Sequence, residues 1–213
     1  MDDLILSLFV CLTIPIAMSM LVLEGRSRNL VLFMVFGMFM CLFASQVNGF
    51  IQGITYLDTY TMTTSVTPIV EEILKFIPII VFYLLFKPKQ QYLLECALMV
   101  GIGFSLLENG FILLNSTEVT FAMAFCRGLG SAMLHVVTTV CVALGLSIFG
   151  IKKKTIITGT YATLLAVMVF HGIYNMFVQS STLIYFGVIL PVIVFVSIAI
   201  YGAKNKKNFE KAK

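Results

Sequence analysis

Charge is what this sequence has least of. Only 11% of its 213 residues are Asp, Glu, Lys or Arg, where a typical soluble chain carries about 25%. That shortage, beside 60% apolar residues and a mean hydropathy of +1.03, excludes an ordinary soluble domain. One anchor segment cannot account for it. Internal repeats, low-complexity tracts and soluble linkers are missing too, which removes disordered and collagen-like classes. The five cysteines (Cys11, Cys41, Cys96, Cys126, Cys141) are odd in number and lack metal-type spacing. All lie within or at the ends of apolar stretches, so they read as small packing residues and not as a disulfide framework. Met1-Asp2-Asp3 puts no basic residue before the first apolar run, so the start does not resemble a cleavable signal peptide. The net charge of +4 does not mark a nucleic-acid partner, because the basic residues are placed for another reason. What remains is a polytopic membrane protein whose partner throughout is the lipid bilayer.

A membrane-spanning helix needs about 20 mostly apolar residues. Seven windows qualify: 4–23, 30–52, 68–86, 92–114, 126–149, 155–177 and 182–202. Their apolar runs are continuous, without the alternation of a membrane barrel strand, and backbone groups in hydrocarbon must pair within the segment. The expected fold is therefore an all-α bundle of about seven spans, one integral-membrane domain over residues 1–213. Thr67-Pro68 predicts a cap and first-turn proline for the third helix. Arg26, Arg28, Lys87, Lys89, Lys152, Lys153, Lys154, Lys204, Lys206, Lys207, Lys211 and Lys213 all fall in alternate connections. The opposite connections hold Asp58 and Glu118 and no basic residue. The positive-inside rule then places the amino terminus outside and the carboxyl terminus in the cytoplasm.

Eight ionisable residues interrupt the apolar windows: Glu71, Glu72, Lys75, Glu95, Glu108, Arg127, His135 and His171. Each costs at least about 2–3 kcal/mol if charged at the bilayer centre. At about 1.5 Å of rise per residue, Glu71 and Glu72 lie about 5 Å below the outer end of their helix. Glu108 and His171 lie about 9 Å down and His135 about 14 Å down. Two imidazoles and three carboxylates thus share one level in the outer half of the membrane. Glu71 and Lys75, Phe104 and Glu108, Ser131 and His135, and His171 and Asn175 are each four apart, which stacks each pair on one helix face. Arg127, Ser131, His135 and Thr138 form a polar stripe.

Each residue also has a plainer reading. Glu71 and Lys75 suit an intrahelical ion pair, Arg127 suits snorkelling to the outer boundary, and Glu95 suits the cytoplasmic interface. A lone membrane histidine is often a helix–helix hydrogen-bond partner. Asn175, one turn beyond His171, suits an orienting group or oxyanion donor. Gly101, Gly103, Gly128, Gly130 and Gly145 read as packing residues, and Gly101-x-Gly103 is no nucleotide fingerprint. The cluster as a whole suits hydrolysis, with Glu71 or Glu72 as general base and a histidine or Asn175 at the oxyanion. Zinc would also suit these groups, although no HExxH is present; GxSxG and a paired membrane-aspartate motif are absent as well.

Four elements in order carry a family resemblance: Glu71-Glu72-x-x-Lys75, Phe104-x-x-x-Glu108-Asn109, His135, and His171-x-x-x-Asn175. Together they resemble the PrsW family of membrane-embedded proteases, in the superfamily of the CAAX prenyl proteases, over about residues 68–177. The FxxxEN element differs from the FxxxH usual in CAAX proteases. The resemblance implies an intramembrane protease of the bacterial plasma membrane, making a site-1 cut near the outer face of a single-span anti-sigma factor in a stress response. It implies catalytic roles for Glu71, Glu72, His135 and His171, with Lys75, Glu108, Asn109 and Asn175 supporting. Family members are described as metalloproteases, and zinc would then be drawn from Glu72, Glu108, His135 and His171. A metal-free glutamate mechanism is preferred, on the missing HExxH, only two histidines and a lysine one turn from the glutamates. The competing classes are a small proton- or cation-coupled transporter and a non-catalytic membrane adaptor.

Overall fold

Backbone amides in hydrocarbon find partners only within their own segment, and all seven windows are helical. The computed structural model describes residues 3–149 and 156–211, with side chains for 4–148 and 157–200. Helices run over Asp3–Ser19 (α1), Gly25–Thr55 (α2), Thr59–Thr61 (α3), Thr67–Phe86 (α4), Gln90–Asn115 (α5), Phe121–Cys126 (α6), Ala132–Phe149 (α7), Ile156–Val178 (α8) and Ile184–Lys211 (α9). Among the described residues there is no strand. Lys152, Lys153, Lys154 and Lys213, which carry part of the charge asymmetry, lie outside the described residues.

Two helices begin earlier than their apolar windows. A π-helical stretch, Met62–Val66, joins α3 to α4, and a second, Arg127–Ser131, joins α6 to α7. The predicted cap at Thr67 is therefore not the start of the helix. Asp58 is the N-cap instead: its carboxylate accepts from the Thr61 backbone N–H at 2.9 Å and from the Thr61 hydroxyl at 2.6 Å. Those bonds, the hydroxyl first, hold the Asp58 carboxyl below its ordinary value. Thr120 caps the other helix through the Met123 N–H at 3.1 Å.

Four stretches are long and apolar enough to cross a membrane: Gly25–Thr55, Gln90–Asn115, Phe121–Ile148 and Ile157–Val178. The apolar runs Leu4–Ser19 and Ile184–Ile200 are shorter. Helix α4 has the length but carries Glu71, Glu72 and Lys75, all three buried. A helix with buried charge and a lipid-facing apolar side belongs inside a bundle. Large apolar side chains such as Phe39, Phe43, Leu84, Val169 and Ile193 stay exposed on the outside, as lipid-facing groups do. The chain is a multi-pass membrane protein.

Packing runs from α2 to α5, from α5 to α7 and from α7 to α8, with α4 inserted against α2, α7 and α8. Helices α2 and α5 cross where Gly37 meets the Val100 carbonyl and Gly103 meets the Met34 carbonyl. Any side chain there would drive the backbones apart, which is the membrane use of small residues at helix crossings. One apolar cluster (Ile5, Met38, Leu42, Leu74, Phe104, Leu107) lies under the site. A second (Phe33, Ile79, Leu93, Val100, Ala143, Leu146) fills the other end of the bundle.

Candidate active site

The polar groups converge because four helices turn one face each toward the same point. Helix α4 brings Glu71, Glu72 and Lys75; α5 brings Glu108 and Asn109; α7 with its π stretch brings Arg127, Ser131, His135 and Thr138; α8 brings His171 and Asn175. Gly101 allows the closeness of α5 to α7: a Cβ there would stand 2.7 Å from the His135 carbonyl oxygen. Phe104 lies under the imidazole of His135, ring centres 4.9 Å apart, and under the Lys75 ammonium at 5.2 Å.

Lys75 organises the centre. Its Nζ donates to Glu72 Oε1 at 2.7 Å, to Thr138 Oγ1 at 3.1 Å and to His135 Nδ1 at 3.1 Å. The ion pair is with Glu72, three residues away, and not with Glu71, four away; both spacings reach, and His135 and Thr138 on α7 draw the ammonium to the Glu72 side. An ammonium has only donors, so His135 Nδ1 accepts. His135 Nε2 therefore carries the proton and donates to Glu108 Oε2 at 2.5 Å. Glu108 is held further by the Ser131 hydroxyl at 3.5 Å and the Arg127 guanidinium at 3.7 Å. Arg127 does not simply snorkel: its Nε donates to Asn109 Oδ1 at 3.1 Å, and Asn109 Nδ2 donates back to the Arg127 carbonyl at 3.4 Å.

His171 closes the cluster from α8. Its Nδ1 donates to Glu72 Oε1 at 2.7 Å, and its Nε2 faces Glu71 Oε2 at 3.7 Å, too far for a hydrogen bond. The two imidazoles meet edge to face, 5.3 Å between centres. Glu71 Oε2 is buried and has no hydrogen-bond partner, an arrangement that costs free energy unless something fills the gap. Asn175 acts on backbone, its Nδ2 donating to the Thr63 carbonyl at 2.8 Å. Glu95 stands apart from the cluster, paired with Arg26.

A cleft of about 560 Å³ opens onto this centre, with Glu71 and Glu108 in its wall. It places two carboxylates against space from one side. The sequence model of the PrsW family, described as PrsW family intramembrane metalloprotease, matches residues 25–201. The chain belongs to the PrsW protease family. It is thus a peptidase, and its four motif elements, read from sequence on separate helices, are the four faces that meet here. No curated protein and no solved structure is significantly similar to the chain.

A metal fits Glu71 Oε2 and His171 Nε2 as they stand, and His135 only once one of its ring nitrogens gives up its present partner, Lys75 or Glu108. Among the described residues one group of possible ligands stands out, Glu71, His135 and His171, whose ligand atoms lie within 4.8 Å of one another. Two imidazoles and a carboxylate form a familiar catalytic zinc set. The unpartnered Glu71 Oε2 and the His171 Nε2 lone pair, 3.7 Å apart, stand at about the spacing of two ligands around an ion bound at about 2.1 Å. The set differs from the sequence expectation of Glu72, Glu108 and the histidines. Glu72 is engaged by Lys75 and His171 instead, and Glu108 by His135 and Arg127. The groups that sequence reading passed over are neutral: Ser45, Asn48 and Gln52, at helical spacing along α2, line the cleft. A search confined to ionisable residues could not find them; the i, i+3, i+7 polar stripe inside window 30–52 was the available signal.

Proposed function

We propose that this PrsW protease makes the first cut in a single-span anti-sigma factor, near the outer face of a bacterial plasma membrane. In this reading seven helices span the bilayer, the amino terminus is outside and the carboxyl terminus cytoplasmic. The observation that carries the reading is Glu71 Oε2, a buried acceptor with no partner beside the His171 imidazole, on a residue that lines the cleft.

Glu71, His135 and His171 would hold a divalent cation, which when bound polarises the scissile carbonyl and acidifies water. The rest is the work of side chains. Glu72 Oε1 keeps the proton on His171 Nδ1 and leaves Nε2 free, the carboxylate–histidine arrangement that orients a ligating imidazole. Lys75 holds Glu72 in place and neutralises it. Glu108, at the cleft wall and steadied by Arg127, takes a proton from water at Oε1, the oxygen that His135 and Ser131 leave free, and returns it to the leaving amine. His135 favours a second reading, because both its nitrogens are already engaged, by Lys75 and Glu108. In that metal-free form Glu71 Oε2 itself takes the proton of water.

The transporter reading needs a polar path through the bundle. Beyond Lys75, Thr138 and Thr139 the buried groups are mainly apolar, Ile79, Val100, Ala143 and Leu146, with the uncharged Thr160 farther along α8, which supports a site open from one end only. The test is cleavage of a purified single-span anti-sigma factor by the purified full chain in vesicles. Glu71→Gln and Glu108→Gln should each lower turnover about 100-fold or more, the scale of losing a general base or its equivalent. Glu95→Gln should leave it near the unaltered rate. Equal loss at Glu95, or none at Glu71 and Glu108, would remove these assignments.

A further inference from the structure

Phe104 opens a motif element whose other named members are polar or charged, and it is completely buried. Three helices fix its place. From α2, a Cβ at Gly37 would stand 2.9 Å from the Phe104 backbone nitrogen, so the two backbones touch. On α7, the His135 imidazole lies against its ring, 4.9 Å between centres at a tilt of 38°. From α4, the Lys75 ammonium stands over the ring face, 5.2 Å from its centre. Gly101, Phe104 and Glu108, at i, i+3 and i+7 on α5, thus each meet His135: at its carbonyl, its ring and its Nε2.

Lys75 gives that ring something to do. The ammonium is buried at the margin of an apolar cluster, where a cation has lost its water. Its N–H groups go to Glu72, Thr138 and His135, and only Glu72 among them carries charge. An aromatic face within about 6 Å attracts a cation electrostatically, more strongly where both are dry. The cluster's other buried members are Ile, Leu, Met, Ala and Cys side chains, which have no such face. The ammonium also has somewhere else to go. Glu71 lies within one turn of Lys75, as Glu72 does, and Glu71 Oε2 has no partner. Released from the ring, the flexible four-carbon stem can carry the charge to Glu71 and leave His135 Nδ1 without its donor.

We infer that Phe104 is a positioning residue for the hydrolytic reaction: its π face keeps the Lys75 ammonium between Glu72 and His135 Nδ1 and away from Glu71. The inference rests on the reading of this cluster as the hydrolytic centre. Phe104 acts through Lys75 and touches neither substrate nor water. With the ammonium held, Glu72 stays on His171 Nδ1 and Glu71 keeps its free oxygen. An aliphatic side chain of the same volume would fill the space without that hold.

The test separates the π face from the bulk of the ring. Position 104 of the full chain, in phosphatidylethanolamine–phosphatidylglycerol vesicles, carries phenylalanine with one, two or three ring fluorines, or cyclohexylalanine. Fluorines draw electrons from the face with little change of shape and make the ring more apolar, so packing alone predicts no loss. Cleavage of the purified single-span anti-sigma factor should slow with each fluorine, to a loss of about tenfold in kcat with three, at unchanged KM. Cyclohexylalanine should slow it at least as much. The same series at Phe33, buried in the second apolar cluster, should leave kcat unaltered. A second readout needs no substrate. The chain has two histidines, so the nitrogen NMR spectrum of isotope-labelled histidine is simple. In the trifluoro and cyclohexyl proteins the His135 Nδ1 signal should move to the position of a nitrogen with no hydrogen-bond donor. Should cyclohexylalanine prevent assembly, the fluorinated series carries both readouts. An unmoved Nδ1 signal, or a cutting chain whose kcat ignores fluorination, overturns the inference. A moved signal in a chain that leaves the anti-sigma factor uncut supports the role of the ring and tells against that substrate instead.

Discussion

Lys75 and Glu72 are almost completely buried, at 1% side-chain exposure each, so their pairing is a constraint more than a source of stability. Desolvating two charges consumes most of what their attraction returns. Removing one partner is another matter. Lys75→Met leaves Glu72 charged and unpaired and takes the donor from His135 Nδ1, which should destabilise the protein by about 3–5 kcal/mol. Glu72→Gln combined with Lys75→Met should recover most of that loss, since two neutral groups are easier to bury. Turnover should stay lost in the double variant, because His135 Nδ1 loses the ammonium and His171 Nδ1 loses the carboxylate that fix their ring orientation. Denaturant unfolding in detergent and the cleavage assay, run on all three variants, check both halves. A double variant no more stable than Lys75→Met would contradict the pairing. Bound metal belongs to the same scale. If Glu71, His135 and His171 are ligands, His171→Ala should lose zinc and activity together, because ligand count sets affinity. Elemental analysis of active protein, with activity followed through chelation and zinc restoration, decides it; loss of activity at unchanged metal content would favour Glu71 acting alone. Sequence spacing found these residues because ionisable groups in apolar windows are conspicuous. It could not tell Glu71 from Glu72 as the partner of Lys75, since both lie within one turn and the choice is made by α7.

The two helices that carry most of the site, α4 and α7, are each preceded by a π-helical stretch. Such stretches shift helix register and recur at functional sites. In the first, Thr67 N–H bonds to the Met62 carbonyl. The next donor in that register would be Pro68, which has no N–H, and the Thr63 carbonyl is left without its helical partner. Asn175 supplies one at 2.8 Å. Beside it Gly172 lets α8 approach, since a Cβ there would stand 2.7 Å from the Thr64 carbonyl oxygen. The last residue of the HxxxN element is therefore a strut that sets how far His171 reaches toward Glu72. Asn175→Leu should destabilise by about 1–3 kcal/mol, the cost of a buried unmade hydrogen bond, and lower turnover with it. Pro68→Ala restores an N–H to the Thr63 carbonyl, so adding it should recover part of the stability. Thermal unfolding of the single and double variants tests this; no rescue would mean that Asn175 acts elsewhere. Hydropathy windows located the seven long helices to within a few residues of most ends. They could not show these starts, because Thr59–Val66 and Phe121–Ser131 are polar or glycine-containing and a π turn has no compositional mark. Asp58 was readable as a cap only once the helix was known to begin beside it.

At the scale of the whole molecule the polar groups are gathered toward one end of the bundle and the other end is apolar. The cleft runs from Thr59 and Gln52 down to Glu71 and Glu108, so its mouth lies on the side of the Asp58 loop. The opposite end holds Arg26 on Glu95 and Asn29 on Tyr92, tying α2 to α5, with the second apolar cluster between that end and the site. The side of the membrane on which substrate is cut is thus decided by the side on which Asp58 stands. The orientation proposed above has it outside, on the Lys/Arg asymmetry: Asp58 and Glu118 lie in connections without basic residues, while Lys87 and Lys89 lie in the opposite set. Asp58→Cys and Ser180→Cys should react with a membrane-impermeant thiol reagent applied to intact cells, in a background with the five natural cysteines replaced. Lys89→Cys and Lys153→Cys should react only after the cells are opened. Reversed labelling would move the cleft mouth to the cytoplasm. It would leave the geometry of the cluster untouched while ruling out an outer-face cut, since Glu71 cannot be reached through the packed end formed by Ile79, Val100 and Leu146. Labelling of positions 58, 89 and 153 from outside with position 180 protected would instead mean that α4 does not cross, and that the polar helix is held inside the bundle without spanning.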